Sequence, residues 1–235
     1  MTRKTAEDYG YKYNIPLDDF FQFAISVDCV IYGYHEGKVK VMLIKRGANP
    51  YKGKWALPGD LVYPQEALDF AAKRVLTELT GLEEIYMKQV RAFGAVDRHT
   101  LGRVVTLGYM ALIEMNKHQL KADGWAEEVG WFEIHELPDL AFDHNDIFCK
   151  SLKFLQESLE SHSPVGFEMM PSKFTLLDYL ELTEYVLNKR LDKANFRKKL
   201  LAQEFIEPLE EVQKNVKHRP AKLYKFNKKK IGLKT

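Results

Sequence analysis

The segment Glu66–Thr80 (EALDFAAKRVLTELT) constrains this chain more than any other stretch. Its apolar residues fall at Leu68, Ala71, Ala72, Val75, Leu76 and Leu79, which is helical spacing, and Gly81 supplies a C-terminal stop. The flanks are of another kind. Phe23–Tyr34 (FAISVDCVIYGY) is β-branched and aromatic, His35-Glu36-Gly37-Lys38 reads as a turn, and Val39–Arg46 (VKVMLIKR) as a returning strand. Asn49–Asp60 (NPYKGKWALPGD) is loop, punctuated by Gly53, Pro58 and Gly59. Further strands are expected at Gln89–Phe93, Val104–Glu114 and Val129–Phe132, with a polar loop from Asp97 to Arg103, and an amphipathic helix at Ile147–Leu159.

A second pattern follows. Val165–Met170 reads as a short strand and Pro171-Ser172-Lys173-Phe174 as a turn. Thr175-Leu176-Leu177-Asp178 matches a capping box that opens a helix to about Asn188. Asp192 can cap another helix over Lys193–Gln203. Phe205–Leu209 and Leu223–Phe226 then flank a basic loop. Helix, strand, helix, helix, strand, basic loop, strand is the order of a winged helix, in which one helix enters a DNA groove and the loop forms the wing.

Charge separates the two parts. The net charge over 235 residues is +2. From Pro164 to Thr235 the chain carries 16 Lys and Arg against 9 Asp and Glu, a net of +7, leaving −5 for the rest. The basic end suits nucleic acid, although a solvated lysine-rich tail has the same composition. No apolar run is long enough to span a bilayer and Met1–Pro16 lacks the apolar region of a signal peptide. Cys29 and Cys149 form no CxxC, and the seven His show no metal-ligand spacing. A cytoplasmic protein with no membrane association, no cofactor and no bound metal is expected.

Trp55–Leu82 (WALPGDLVYPQEALDFAAKRVLTELTGL) resembles a Nudix box, G-x5-E-x7-R-E-U-x-E-E-x-G-U with U aliphatic. Aligned on Gly81, the chain keeps Glu66, Arg74, Leu76, Glu78, Gly81 and Leu82. It departs at Asp60 for the first Gly, Val75 for the Glu after Arg74, and Leu79 for the second Glu of the pair. In Nudix hydrolases those glutamates converge on Mg²⁺, a hard cation that needs oxygen ligands. Val75 and Leu79 are an i, i+4 pair where those oxygens should be. Loss of hydrolysis is therefore expected, with no catalytic residue, since the ion is needed to polarise phosphate and activate water.

A damaged box followed by Pro171–Leu201 (PSKFTLLDYLELTEYVLNKRLDKANFRKKLL) is similar to the NrtR family of Nudix-related transcriptional regulators. So are Phe93–Thr106, Leu137–His144 and Leu191–Arg197. The resemblance implies an α/β (α+β) architecture. Residues 1–145 would form a Nudix-like α/β/α sandwich with a mixed sheet that senses an effector. Residues 146–235 would form a winged helix-turn-helix domain. It further implies a homodimeric repressor that binds double-stranded operator DNA and responds to a small molecule. Known branches answer to ADP-ribose or to pentoses, and the chain looks most like the arabinose-responsive branch of Bacteroidetes, with L-arabinose the first expectation and ADP-ribose the second.

On the expected recognition helix, 100° per residue gathers Asn195, Lys198, Lys199 and Ala202 on one stripe, with Phe196, Leu200 and Leu201 opposite. Asn can read adenine, and Lys mostly meets phosphate. Lys193 opens the same helix. Arg197 falls among the apolar positions, where an ion pair and a DNA contact are both open. Lys217, His218, Arg219 and Lys222 of the wing suit phosphate or the minor groove. In the sensor, Lys45, Arg46, Glu66, Arg74, Glu78, Asp97, Arg98 and Arg103 are the expected lining of the ligand cleft. Glu66 and Arg74 have an equal claim to holding the loop–helix–loop together. His144 reads as structural or as part of the domain junction. The competing readings are an active Nudix pyrophosphatase with a basic accessory domain and an RNA-binding winged helix.

Overall fold

The structure is a computed structural model that describes residues 22–81, 85–115, 126–214, 216 and 219–227. Its centre is strand β1 (Ala24–His35), paired antiparallel with β2 (Lys38–Arg46) and parallel with β6 (Val104–Glu114) from Ala24↔Val104 to Tyr34↔Glu114. The β1–β2 turn is tight because Glu36 and Gly37 both take positive φ, 49° and 79°, the twist that a two-residue hairpin favours. Strand β5 (Tyr86–Phe93) flanks β6, and β7 (Ala126–Glu133) flanks β2. Two short strands sit inside the stretch expected as loop: β3 (Trp55–Ala56) on β2 and β4 (Gly59–Leu61) on β1. The sheet is mixed, with seven strands.

Successive residues of a strand point to opposite faces, and here both faces are covered. Val27, Cys29 and Ile31 of β1 join Met42, Ile44, Tyr109 and Ala111 beneath helix α1 (Leu68–Thr80), which buries Ala71, Ala72, Val75, Leu76 and Leu79. Gly81 ends α1 at φ 70°, its N–H donating to the Thr77 carbonyl. Val30 and Tyr32, alternating with that set, face the other way with Val41, Leu43, Met110 and Leu112. They meet helix α2 (His144–Glu160) through Ile147, Phe148 and Leu155.

That second core does not stop at the sheet. It continues through Leu159, Val165, Phe167 and Met169 to Tyr179, Leu182, Val186, Leu200, Phe205 and Tyr224. The C-terminal part contains α3 (Leu176–Leu187), α4 (Lys193–Leu201) and the hairpin β8 (Ile206–Val212) with β9 (Lys222–Phe226). Thr175 and Asp178 close the expected capping box. Asp178 N–H donates to Thr175 Oγ1 at 3.1 Å, and Thr175 N–H to Asp178 Oδ2 at 2.8 Å. Asp192 caps α4, accepting from Asn195 N–H at 2.7 Å. Mutual backbone bonds between Phe174 and Tyr224 tie the start of α3 to the wing.

A further element differs from expectation. Residues 164–169 form a 3-10 helix (Pro164–Met169), not a strand. Pro164 opens the turn, where its fixed φ suits a helical start and its missing N–H costs no bond. The segment is held by packing: the Phe167 ring stacks on Tyr179 with centroids 3.8 Å apart. Among the described residues, no helix is long and apolar enough to cross a membrane.

Candidate functional site

Between β1, β4, the loop after β5 and the start of α2 lies a cavity of about 220 Å³. Asp28 sits in its wall, a buried carboxylate in the middle of an otherwise apolar strand. A buried charge needs partners, and Asp28 has three. Thr106 Oγ1 donates to its Oδ2 at 2.7 Å, the Arg98 guanidinium stands 3.5 Å from the same oxygen, and His144 Nε2 lies 3.5 Å from Oδ1. His144 Nδ1 accepts the Leu57 N–H at 2.9 Å, which assigns the ring proton to Nε2, toward Asp28. Burial is the main force that lowers the His144 pKa, and Arg98 and Arg46 add to it against the pull of Asp28 and Asp143. The ring is therefore a neutral donor.

Arg98 is the second anchor. Its side chain is only 3% exposed, and it grips Asp143 with two bonds, Nε to Oδ2 at 2.8 Å and Nη2 to Oδ1 at 2.7 Å. Arg46 lies over the Phe142 ring at 4.9 Å, and His99 stacks on Phe142 at 5.0 Å and 9°. The wall thus combines two guanidinium groups, two imidazoles and one aromatic face, chemistry suited to an anion joined to a flat ring.

Of the eight residues expected in the cleft, Arg46 and Arg98 line this cavity. Glu66 and Arg74 do not, and their geometry supports the holding role. Arg74 bonds Glu66 at 2.9 and 3.0 Å, Asp60 at 2.7 Å and the Leu61 carbonyl at 3.1 Å, and lies 4.1 Å over the Tyr63 ring. This stitches β4 to α1 and holds the Glu66 carboxyl below its ordinary pKa, chiefly through the Arg74 hydrogen bond. Glu78 is half exposed, 3.8 Å from Arg74. Lys45 reaches Glu128 at 3.4 Å, and Asp97 is an exposed loop residue. Arg103 donates to the Gly94 and Ala95 carbonyls, pinning the loop that carries Arg98. Sequence reasoning passed over Asp28, His99 and Phe142 and gave His144 a structural role. The visible signal was Asp28 itself, an aspartate inside a β-branched run.

The implied magnesium does not fit. Val75 and Leu79, at 2% and 5% exposure, are packed in the apolar cluster under α1. Glu78 is left as the one carboxylate of that part of the box, turned toward Arg74.

The second candidate surface is α4. Phe196 and Leu200 turn inward, whereas Lys193, Asn195, Arg197, Lys198 and Lys199 are exposed. Leu201, expected on the apolar side, is 43% exposed, because the inward face is centred on Phe196 and Leu200 and Leu201 lies 100° beyond. Arg219 and Lys222 are exposed beside the wing, and Lys217 and His218 lie outside the described residues. Lys173, Lys189 and Lys225 pair with Glu211, Glu160 and Glu207.

The Nudix domain profile matches residues 22–150, and a profile described as the NrtR DNA-binding winged helix domain matches residues 166–226. The chain is 31% identical over 206 residues to an ADPR-responsive transcriptional repressor of Acinetobacter baylyi, covering 86% of this chain and 81% of that protein. The chain belongs to the NrtR family. The crystal structure of Shewanella oneidensis NrtR with a 27mer DNA superposes with a TM-score of 0.76 at 26% identity, over 86% of this chain and 93% of that one. The Nudix domain of the same NrtR with ADP ribose gives 0.53 at 29% identity, over 65% of this chain and 99% of that one. The chain is also 36% identical over 124 residues to an ADP-ribose pyrophosphatase of Methanocaldococcus jannaschii, over 53% of this chain and 70% of that protein. NrtR membership joins the two candidate sites in one protein, a Nudix cavity and a DNA-binding winged helix.

Proposed function

We propose that this NrtR-family protein is an ADP-ribose-responsive transcriptional repressor whose Nudix domain senses its effector and does not hydrolyse it. The observation that carries the reading is that buried, apolar Val75 and Leu79 replace the metal-binding face, while a separate cavity toward the start of α2 still offers Arg46 and Arg98. Of the two effectors expected from the sequence, ADP-ribose has the support of the named relatives and L-arabinose has none from them. A cavity of about 220 Å³ is below the roughly 300–1,000 Å³ that encloses a whole drug-sized ligand, so one end of the effector enters it. The division into a sensing part, 1–145, and a DNA-binding part, 146–235, belongs to this proposal. So does a homodimer that sets two α4 helices on a palindromic operator. Asn195 is assigned to bases; Lys193, Arg197, Lys198, Lys199, Lys217, His218, Arg219 and Lys222 are assigned to phosphates.

The test is a thermal-shift and calorimetric titration with ADP-ribose and with L-arabinose, followed by an Mg²⁺ turnover assay. A ligand at about 100 times its dissociation constant should add roughly 2.7 kcal/mol of stability. The identity to an ADP-ribose pyrophosphatase favours an enzyme as the second reading. Product release at about 1 s⁻¹ or faster with Mg²⁺ would establish that reading instead.

A further inference from the structure

The cavity and the winged helix share one element. Helix α2 starts at the cavity, where His144 lines the wall, and runs 17 residues, about 25 Å at 1.5 Å per residue. Its far end is set into the C-terminal part. Leu155 and Leu159 are buried in the core that holds Phe167, Tyr179 and Val186, and Gln156 Nε2 donates to the Val186 carbonyl at 2.9 Å. There is no slack at that end: a Cβ on Gly166 would lie 2.7 Å from Leu159 Cδ2 and 2.9 Å from the Tyr179 hydroxyl.

The near end is held in an unusual way. Asp143 is the N-cap residue of α2, and aspartate is among the best residues for accepting the free amides of a first turn. Here it accepts none. Its carboxylate is turned away into the two-bond grip of Arg98, whose other neighbour is Asp28 in the cavity wall. Arg98 thus stands between an anion on the helix and the space where a ligand anion would arrive.

We propose that Arg98 and Asp143 form the switch of this protein. An effector phosphate entering the cavity takes the Arg98 guanidinium, Asp143 turns to cap the first turn of α2, and α2 carries the change to α3 and α4. Asp143 is a positioning residue here and does not touch the ligand. The proposal rests on the cavity being the effector site. The direct trigger is exchange of one anion for another at Arg98, so a neutral sugar without phosphate does not throw the switch.

Asp143→Asn separates the parts, because Asn still caps a helix but holds Arg98 weakly. The full chain would be tested on duplexes enriched from a random pool by the wild-type protein, with hydrogen exchange read at residues 144–148 and 176–201. Without ligand, Asp143→Asn should change duplex retention at least 5-fold, to within 2-fold of the ADP-ribose-bound wild type. Added ADP-ribose should bind at least as tightly as to wild type yet shift retention less than 2-fold. Asp143→Ala, which neither grips nor caps, should lose the slowing of exchange at 144–148 that ADP-ribose causes in the wild type. Wild-type retention by ligand-free, folded Asp143→Asn would overturn the switch. If the wild type fails to bind ADP-ribose, the effector assignment falls, while the ligand-free comparison still decides whether the Arg98 grip controls the winged helix.

Discussion

Gly59 lies against Asp28 so closely that a Cβ on the glycine would stand 2.1 Å from the Asp28 Oδ1 and 2.6 Å from the Val27 carbonyl. The two residues face each other in the β1–β4 pairing, so neither backbone can withdraw without opening the sheet edge that walls the cavity. Gly59→Ala should destabilise the protein by roughly 1–3 kcal/mol, the usual range for forcing atoms into a packed site. It should also weaken effector binding, because Asp28 must move. Chemical denaturation and calorimetry would read both, and an unchanged midpoint would show that the contact is soft.

The buried His144 makes stability depend on pH with a definite sign. Its pKa is lowered in the folded chain, mainly by burial, so the unfolded chain takes up a proton first. Stability from this group is complete above the ordinary value of about 6.5 and is lost as pH falls below it, by at most about 1.4 kcal/mol per unit. His144→Gln should narrow the stability gap between pH 7.5 and 5.5. A gap as wide as that of the wild type would assign the effect to other groups.

Arg74 and Glu78 should part company. Arg74→Met removes the bonds that join Asp60, Glu66 and the Leu61 carbonyl, and should cost about 1.5–3 kcal/mol. Glu78→Gln, at a half-exposed site, should stay within about 0.5 kcal/mol. Thermal melts of the two variants give the comparison, and equal losses would contradict the holding role of Arg74.

Rebuilding the metal-binding face should be costly before it is useful. Val75→Glu with Leu79→Glu puts two carboxylates into the apolar cluster under α1, and a loss of roughly 3 kcal/mol or more is expected in metal-free buffer. Mg²⁺ should restore part of it. A melting temperature indifferent to both the substitutions and the ion would show that these positions are not enclosed.

On DNA, Lys198→Ala should weaken binding to enriched and random duplexes alike and flatten the salt slope by about one unit per half-site, from −0.9 per phosphate. Asn195→Ala should cost roughly 1–3 kcal/mol on the enriched duplex and little on random DNA. Filter binding across a salt series would separate them; equal losses for Asn195→Ala would remove it from base reading.

What the sequence made legible is what local chemistry decides. The Thr175–Asp178 box, the Asp192 cap and the Gly81 stop were readable because each is settled within a few residues. The 3-10 helix at 164–169 was not, since it is held by the stacking of Phe167 on Tyr179, a contact that local sequence does not announce. The cavity was half legible. Arg46 and Arg98 stood out as charges beside the box, but Asp28 gains its meaning only from Thr106, Arg98 and His144, which are 70 or more positions away in the chain. The fate of Arg74 lay between two stated readings that only the distances separate.

Helix α2 has a thermodynamic consequence. Its inward residues, Ile147, Phe148, Leu155 and Leu159, are shared by the sheet and by the winged helix, so neither half owns them. A chain cut ahead of His144 would leave the apolar face of the sheet bare, and a chain begun after Glu160 would lack a wall of its own core. Heat should therefore melt this protein in a single transition over both halves, with equal calorimetric and van't Hoff enthalpies. A two-domain architecture would then behave as one cooperative unit.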